Sequence, residues 1–150
     1  MRYVLVLLMA LSFETAFAKK KGKAPEGCDM YFSQQKFCGV VTWTKKPVVV
    51  AAPTAKDAAE FDLKLWDLNQ GRQLNKPAVL KADQQLVVSL YMPDMGHGSE
   101  PVVLKKDDKV PGLYHVTQVL FSMEGAWEIR GRIQQGTKTI DSAAMPFMFK

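Results

Sequence analysis

The chain has 150 residues, of which 47% are hydrophobic and 23% charged, and its formal net charge is +5. This composition is typical of a globular domain and excludes a disordered chain, and the length suits one hydrophobic core better than two. Basic residues are not grouped with aromatic ones as in a nucleic-acid-binding surface, so we expect no nucleic-acid partner.

The first 18 residues have the layout of a secretory signal peptide. Arg2 gives a basic start, an apolar run extends from Tyr3 to Phe13, and Ala16-Phe17-Ala18 presents small residues where signal peptidase cleaves. The apolar run is shorter than the roughly 20 residues that a membrane-spanning helix needs. We therefore expect cleavage near Ala18 and a periplasmic or secreted protein without stable membrane insertion. An uncleaved membrane anchor is the alternative.

Residues 19–37 are predicted to form a basic tail and a disulfide loop. The tail contains Lys19, Lys20, Lys21 and Lys23. The two cysteines, Cys28 and Cys38, are close in sequence, and an oxidising compartment favours a disulfide between them. In the chain-entropy model such a bridge stabilises the fold by about 2–3 kcal/mol. Two thiolates that bind a metal are the alternative, although the spacing is not CxxC and free thiols oxidise outside the cytoplasm.

Residues 38–150 contain short strand-like runs separated by turn residues, without a sustained helical period. The runs are Gly39–Trp43, Phe61–Trp66, Leu86–Met92, Pro101–Leu104, Leu113–Met123, Trp127–Ile133 and one or two within Thr137–Phe149. The apolar positions change parity between Val116 and Val119, which predicts a β-bulge. The pattern as a whole predicts an all-β domain, an immunoglobulin-like antiparallel β-sandwich of about seven strands, with Trp43 or Trp127 as core anchor.

The segment Met92-Pro93-Asp94-Met95-Gly96-His97-Gly98 directly follows one of these strands. Pro93 suits the second position of a β-turn, which brings Met92 and Met95 together. Gly96 permits a positive φ and so lets His97 approach the same point. Two thioethers and an imidazole form a soft donor set that favours copper(I) over calcium or magnesium. The alternative is a tight turn with an exposed imidazole and methionines that only fill the core.

A third sulfur is expected from Met123, which ends the longest predicted strand at a second loop. If the two loops are neighbours, the metal site consists of Met92, Met95, His97 and Met123. Core packing is the alternative for Met123. We assign two further methionines, Met145 and Met148, to core or edge packing. His115 is the only other histidine and is not included in the site.

Three segments, Tyr91–Gly98, Pro111–Tyr114 and Phe121–Ile129, together resemble the YtkA-like and FixH-like family. In that family a strand ends in a Met-Pro-x-Met-x-His loop, a Gly-x-Tyr strand follows, and a Phe-x-Met-x-Gly-x-Trp turn completes the pattern. The resemblance implies a small exported immunoglobulin-like domain, and its FixH-like members are associated with copper supply to respiratory oxidases. It also implies the copper ligands Met92, Met95, His97 and Met123.

The chain departs from the family in two ways, because no membrane helix follows the signal and a cysteine pair precedes the domain. These departures favour a diffusing protein over a membrane-bound one. We therefore predict a periplasmic copper(I)-binding carrier or buffer, with a copper acceptor or a respiratory-chain assembly protein as partner. The alternative is a non-catalytic interaction or accessory β-sandwich module without bound metal.

An enzyme is not predicted. The segment Ser33-Gln34-Gln35-Lys36 matches the SxxK pattern of acyl-transfer enzymes, but no KTG or SDN partner motif follows it. The chain has no GxSxG motif, and two histidines without carboxylates at ligand spacing are too few for a zinc hydrolase.

Overall fold

The computed structural model describes residues 24–48, 50 and 54–150. The predicted signal peptide and the lysines at 19–23 lie outside the described residues. The described strands are β1 (Met30–Phe32), β2 (Phe37–Lys45), β3 (Ala59–Asp67), β4 (Gln84–Met92), β5 (His97–Gly98), β6 (Val103–Lys106), β7 (Leu113–Val119), β8 (Gly125–Gln135) and β9 (Lys138–Phe149). Two single 3₁₀ turns, Ala55–Asp57 and Pro93–Met95, are also present. None of the helices in this part of the chain has the length and apolar character needed to span a membrane.

The strands form two antiparallel sheets, with the orders β1-β2-β3-β7-β6 and β5-β4-β8-β9. Without β1 and β5, these orders are the A-B-E-D and C-F-G sheets of an immunoglobulin constant-type sandwich. The predicted all-β, immunoglobulin-like fold is therefore confirmed. The described residues contain nine strands instead of about seven because two short strands, of three and two residues, are added to the basic arrangement.

Buried and more exposed residues alternate along the strands, and the buried ones form the core between the two sheets. Every second residue of β3, β4 and β8 faces inwards, as expected for strands with one buried face. Trp127 is the largest of the fully buried side chains, with 1% of its surface exposed. Trp43 is only partly buried and packs beside Phe61 and Phe147 at ring-centroid distances of 5.2 and 5.3 Å. Of the two predicted anchors, Trp127 is thus the one inside the core.

Strand β1 lies upstream of residue 38, where the sequence placed the start of the sandwich, and its side chains belong to the core. Met30 and Phe32 are fully buried. They occupy the space above Gly131 on the opposite sheet, where an added Cβ atom would lie 2.7 Å from Phe32 Cζ and 2.8 Å from Met30 Cε. Residue 131 in β8 is therefore a glycine because the side chains of β1 occupy the space that its own side chain would need.

Two links fix this N-terminal segment to the sandwich. The predicted disulfide is present: Cys28 and Cys38 are bonded, with Cα atoms 5.5 Å apart, within the usual range. The buried carboxylate of Asp141 on β9 accepts hydrogen bonds from the backbone N–H groups of Gln34 and Gln35, each at 2.8 Å. The turn between β1 and β2 is thereby fastened to the last strand of the other sheet.

The predicted bulge in β7 is confirmed. Ala59 pairs with Val119 and Phe61 pairs with Val116, so β7 has one more residue than β3 between these pairs. Gln118 lies within the bulge and adopts a positive φ of 58°. Both valines can therefore face the core despite their odd spacing.

Candidate metal centre

The methionine- and histidine-containing segment forms a tight hairpin at one end of the sandwich. Strand β4 ends at Met92, the 3₁₀ turn Pro93–Met95 reverses the chain, and β5 returns alongside β4. Gly96 has φ 68°, as expected for a residue that leaves the turn in the left-handed region, and its N–H donates to Met92 O at 3.0 Å. Proline begins the turn and glycine ends it, which agrees with the local sequence signals.

Within this hairpin, Met92 and His97 are directly opposite each other on neighbouring strands. Side chains of directly opposed residues in an antiparallel pair lie on the same face of the sheet. Met92 faces the core and is only 5% exposed. His97 shares this face, and its ring makes an edge-to-face contact with Trp127 at a centroid distance of 6.3 Å. One thioether and the imidazole therefore lie side by side at the end of the core.

A contact with the backbone of the next residue orients the His97 ring. Nδ1 lies 3.1 Å from the carbonyl oxygen of Gly98. When Nδ1 carries the proton, it donates to this carbonyl, and Nε2 presents its lone pair to a metal. Metal-binding histidines usually make such a second hydrogen bond through the nitrogen that does not bind the metal.

The second loop, which contains Met123, lies against this hairpin. The indole N–H of Trp127 donates to Met123 O at 3.1 Å and so fixes the backbone of the loop. Gly125 has φ 137° and directly contacts the Cε methyl group of Met92, which leaves no space for a Cβ atom. The two loops meet because β4 and β8 are antiparallel neighbours, so that the end of β4 is adjacent to the start of β8.

Two further contacts connect the loops. The Ser99 hydroxyl donates to Leu120 O, which links the residue after β5 to the residue after β7. The 3₁₀ turn Pro93–Met95 lies against β8. One side-chain hydrogen bond and the packing of the 3₁₀ turn against β8 thus join the two segments.

The four predicted ligands differ in exposure. Met92 is buried and His97 partly buried, whereas Met95 is 58% and Met123 42% exposed. The structure brings Met92, His97 and the Met123 loop together, while the Met95 side chain lies at the surface of the same end. Met148, which we assigned to core or edge packing, is 57% exposed on β9.

Trp127 and Gly125 are the residues of this region that sequence reasoning did not assign to the site. The sequence identifies Trp127 as a core anchor and places it, with Gly125, in the Phe-x-Met-x-Gly-x-Trp turn of the resemblance, but gives neither residue a role in the site. The spacing Met123-x-Gly125-x-Trp127 could have indicated their role, because it places all three residues where the loop leads into one strand. Its meaning depends on the contact with Met92, which is 31 positions before Met123 and is not visible in local sequence.

Among residues 24–48, 50 and 54–150, no group of three or more His, Cys, Asp or Glu side chains is arranged to hold a metal ion. A candidate metal centre in this part of the chain therefore depends on the methionine thioethers.

His115 lies away from the loops, on the outer face of the first sheet. Its Nδ1 is 2.7 Å from Asp62 Oδ1, and its Nε2 is 3.0 Å from Asp107 Oδ2. The hydrogen bonds to Asp107 and Asp62 raise the pKa of His115 above its ordinary value. The bond from His115, together with the backbone N–H groups of Val110 and Lys109, lowers the pKa of Asp107 to about 2.

Comparison with known proteins adds no relative to this description. No family model, no curated protein and no solved structure matches the chain. The resemblance to the YtkA-like and FixH-like family therefore stays a prediction from the three motifs.

Proposed function

We propose that this protein is a periplasmic copper(I) carrier or buffer whose ligands are Met92, Met95, His97 and Met123. One observation carries the proposal: the Met123 loop lies against the Met92–His97 hairpin at the same end of the sandwich. Thioether sulfur and imidazole nitrogen suit a soft monovalent ion, and neutral ligands of this kind allow release. A copper acceptor or a respiratory-chain assembly protein is the partner class that the resemblance implies.

The chemistry of the compartment supports the same proposal. The cysteines of the described chain are joined in a disulfide, which suits an oxidising location. Under such conditions thiols are lost as metal ligands because they pair with each other, whereas thioethers cannot form disulfides. Methionine is therefore a suitable sulfur ligand for an exported copper protein.

The unequal exposure of the ligands supports a carrier. Met92 and His97 are held by the sandwich, and Met95 and Met123 lie at the surface. An acceptor can therefore reach the exposed thioethers first and replace them while the inner pair still binds the ion. The proposed role is thus transfer or buffering, without chemical conversion of a substrate.

A competition titration with a chromophoric copper(I) chelator on the mature protein tests the proposal. We expect a 1:1 complex with a Kd well below about 10 µM, which corresponds to roughly 7 kcal/mol. The double substitution Met92→Ala plus Met95→Ala should abolish it. Weaker binding by the wild-type protein, or unchanged binding by the double variant, would contradict the proposal and leave the non-catalytic interaction module as the remaining interpretation.

A matched pair of variants separates ligand loss from general effects. Met95 and Met148 are almost equally exposed, at 58% and 57%, and only Met95 belongs to the proposed site. Met95→Leu should weaken copper(I) binding, and Met148→Leu should leave it unchanged. Equal effects of the two substitutions would show that exposed methionines bind copper without a defined site.

A further inference from the structure

Trp127 lies at the junction of the two loops. Its indole N–H donates to Met123 O at 3.1 Å, and its ring contacts the His97 ring at a centroid distance of 6.3 Å. Gly125, two residues before it, contacts the Cε methyl group of Met92. Three of the four proposed ligands therefore touch Trp127 or the short segment that Trp127 holds in place.

The indole itself is held by packing. It is almost fully buried, and Phe121 contacts it at a centroid distance of 5.4 Å in an edge-to-face arrangement. Phe121 stacks in turn on Phe149 at 4.9 Å. A side chain fixed in this way by the core has one position available for its N–H group and its ring. It can therefore impose that position on the loops that it contacts.

A phenylalanine at this position would fill most of the same space but has no N–H to donate. An indole N–H usually finds a hydrogen-bond partner when it is buried, and here that partner is the backbone of a proposed ligand. The choice of tryptophan is thus explained by the connection to Met123, beyond what core packing requires.

We infer that Trp127 is the positioning residue of the metal centre. Its N–H fixes the Met123 loop and its ring fixes the His97 imidazole, so that the two loops direct their donors to a common point. This inference rests on the proposed copper(I) function. It adds a residue that is not a ligand and on which the affinity of the site depends.

The test uses Trp127→Phe, with Trp43→Phe as the matched control. Trp43 belongs to the same aromatic group, contacting Phe61, Phe121 and Phe147, and no such contact joins it to a proposed ligand. We expect Trp127→Phe to weaken copper(I) binding by about tenfold, as the loss of one hydrogen bond and one aromatic contact predicts. Trp43→Phe should change it by less than about threefold.

A spectroscopic arm distinguishes positioning from general stability. The chain has three tryptophans, so the double variant Trp43→Phe plus Trp66→Phe leaves Trp127 as the only indole. Copper(I) added to this variant should change the fluorescence of Trp127 in a 1:1 titration that ends at the same stoichiometry as chelator competition. A saturated protein with unchanged Trp127 emission would overturn the inference.

A metal-free arm separates failure of the inference from failure of the proposed function. In hydrogen-exchange mass spectrometry, peptides covering 93–98 and 120–126 should both exchange faster in Trp127→Phe than in Trp43→Phe. If the wild-type protein binds no copper(I), the proposed function fails, and the exchange comparison still decides whether Trp127 holds the two loops. Unchanged exchange in both peptides, or unchanged copper affinity in Trp127→Phe, overturns the positioning role.

Discussion

His97 lies on the two-residue edge strand β5, and His115 lies on the internal strand β7 of the other sheet. Both ring nitrogens of His115 contact carboxylates, whereas Nδ1 of His97 contacts the backbone carbonyl oxygen of the next residue, Gly98. Around His97 the nearby side chains are a thioether and an indole, and around His115 they are charged.

The difference shows why one histidine is a candidate ligand and the other is a structural link. The His115 imidazole bridges Asp62 on β3 and Asp107 in the β6–β7 turn with one hydrogen bond from each ring nitrogen. Neither nitrogen can therefore bind a metal unless a hydrogen bond is broken. Residue type alone therefore does not locate the site. The neighbours decide which chemistry an imidazole can perform.

The largest effect is expected from exchanging the two histidines for glutamine in turn. His97→Gln should weaken copper(I) binding by about a hundredfold, roughly 2.7 kcal/mol, because it removes the nitrogen ligand. His115→Gln should leave the affinity unchanged, since its bonds lie on the outer face of the other sheet. Chelator competition measures both, and equal losses in the two variants would remove the distinction between the histidines.

A pair of glycines provides the next comparison. Gly125→Ala places a methyl group against the Met92 Cε atom and requires an unfavourable φ for alanine, so copper(I) binding should weaken by about tenfold. Gly131→Ala meets Phe32 and Met30 instead and should lower the free energy of unfolding by about 1–3 kcal/mol without a specific effect on copper.

Urea denaturation and copper titration of both alanine variants check this crossed pattern. Each glycine thus serves as the control for the other. A copper defect in Gly131→Ala as large as that in Gly125→Ala would show that any damage to the core weakens the site.

The smallest effect concerns pH. The folded-state pKa of His115 is raised, so its stabilising contribution is complete below the unfolded-state value of about 6.5 and is lost as pH rises through the folded value. Melting temperature should therefore fall more between about pH 6 and pH 8 in the wild type than in His115→Gln. Because the imidazole is partly exposed, we expect a small difference. Parallel melting curves against pH for the two proteins would contradict this role.

Much of the fold follows from local sequence. Period-two alternation locates β3, β4 and β8, and the parity change between Val116 and Val119 locates the bulge, because both depend only on which face is buried. Strand β1 was not predicted, since three residues between two cysteines give too short a pattern. Its burial depends on the vacant position at Gly131, which is 99 residues further along the chain.

In the candidate site, too, the local features were predictable and the long-range contacts were not. The hairpin with positive φ at Gly96 follows from Pro93 and Gly96, which act within a few residues. The approach of the Met123 loop to Met92 depends on the antiparallel pairing of β4 and β8, and the sequence could state it only as a condition. The connection of Trp127 to both loops depends on that same pairing, so local pattern could not reveal it.

The hydrogen bonds from Gln34 and Gln35 to Asp141 have a consequence for the order in which the chain folds. They join residues more than 100 positions apart, so the turn between β1 and β2 gains this link only when β9 is present. Contacts between such distant parts of a chain form slowly because a long loop must close first. The attachment of this turn to the second sheet therefore forms only after β9 has joined that sheet, whereas the disulfide and the pairing of β1 with β2 need only nearby residues.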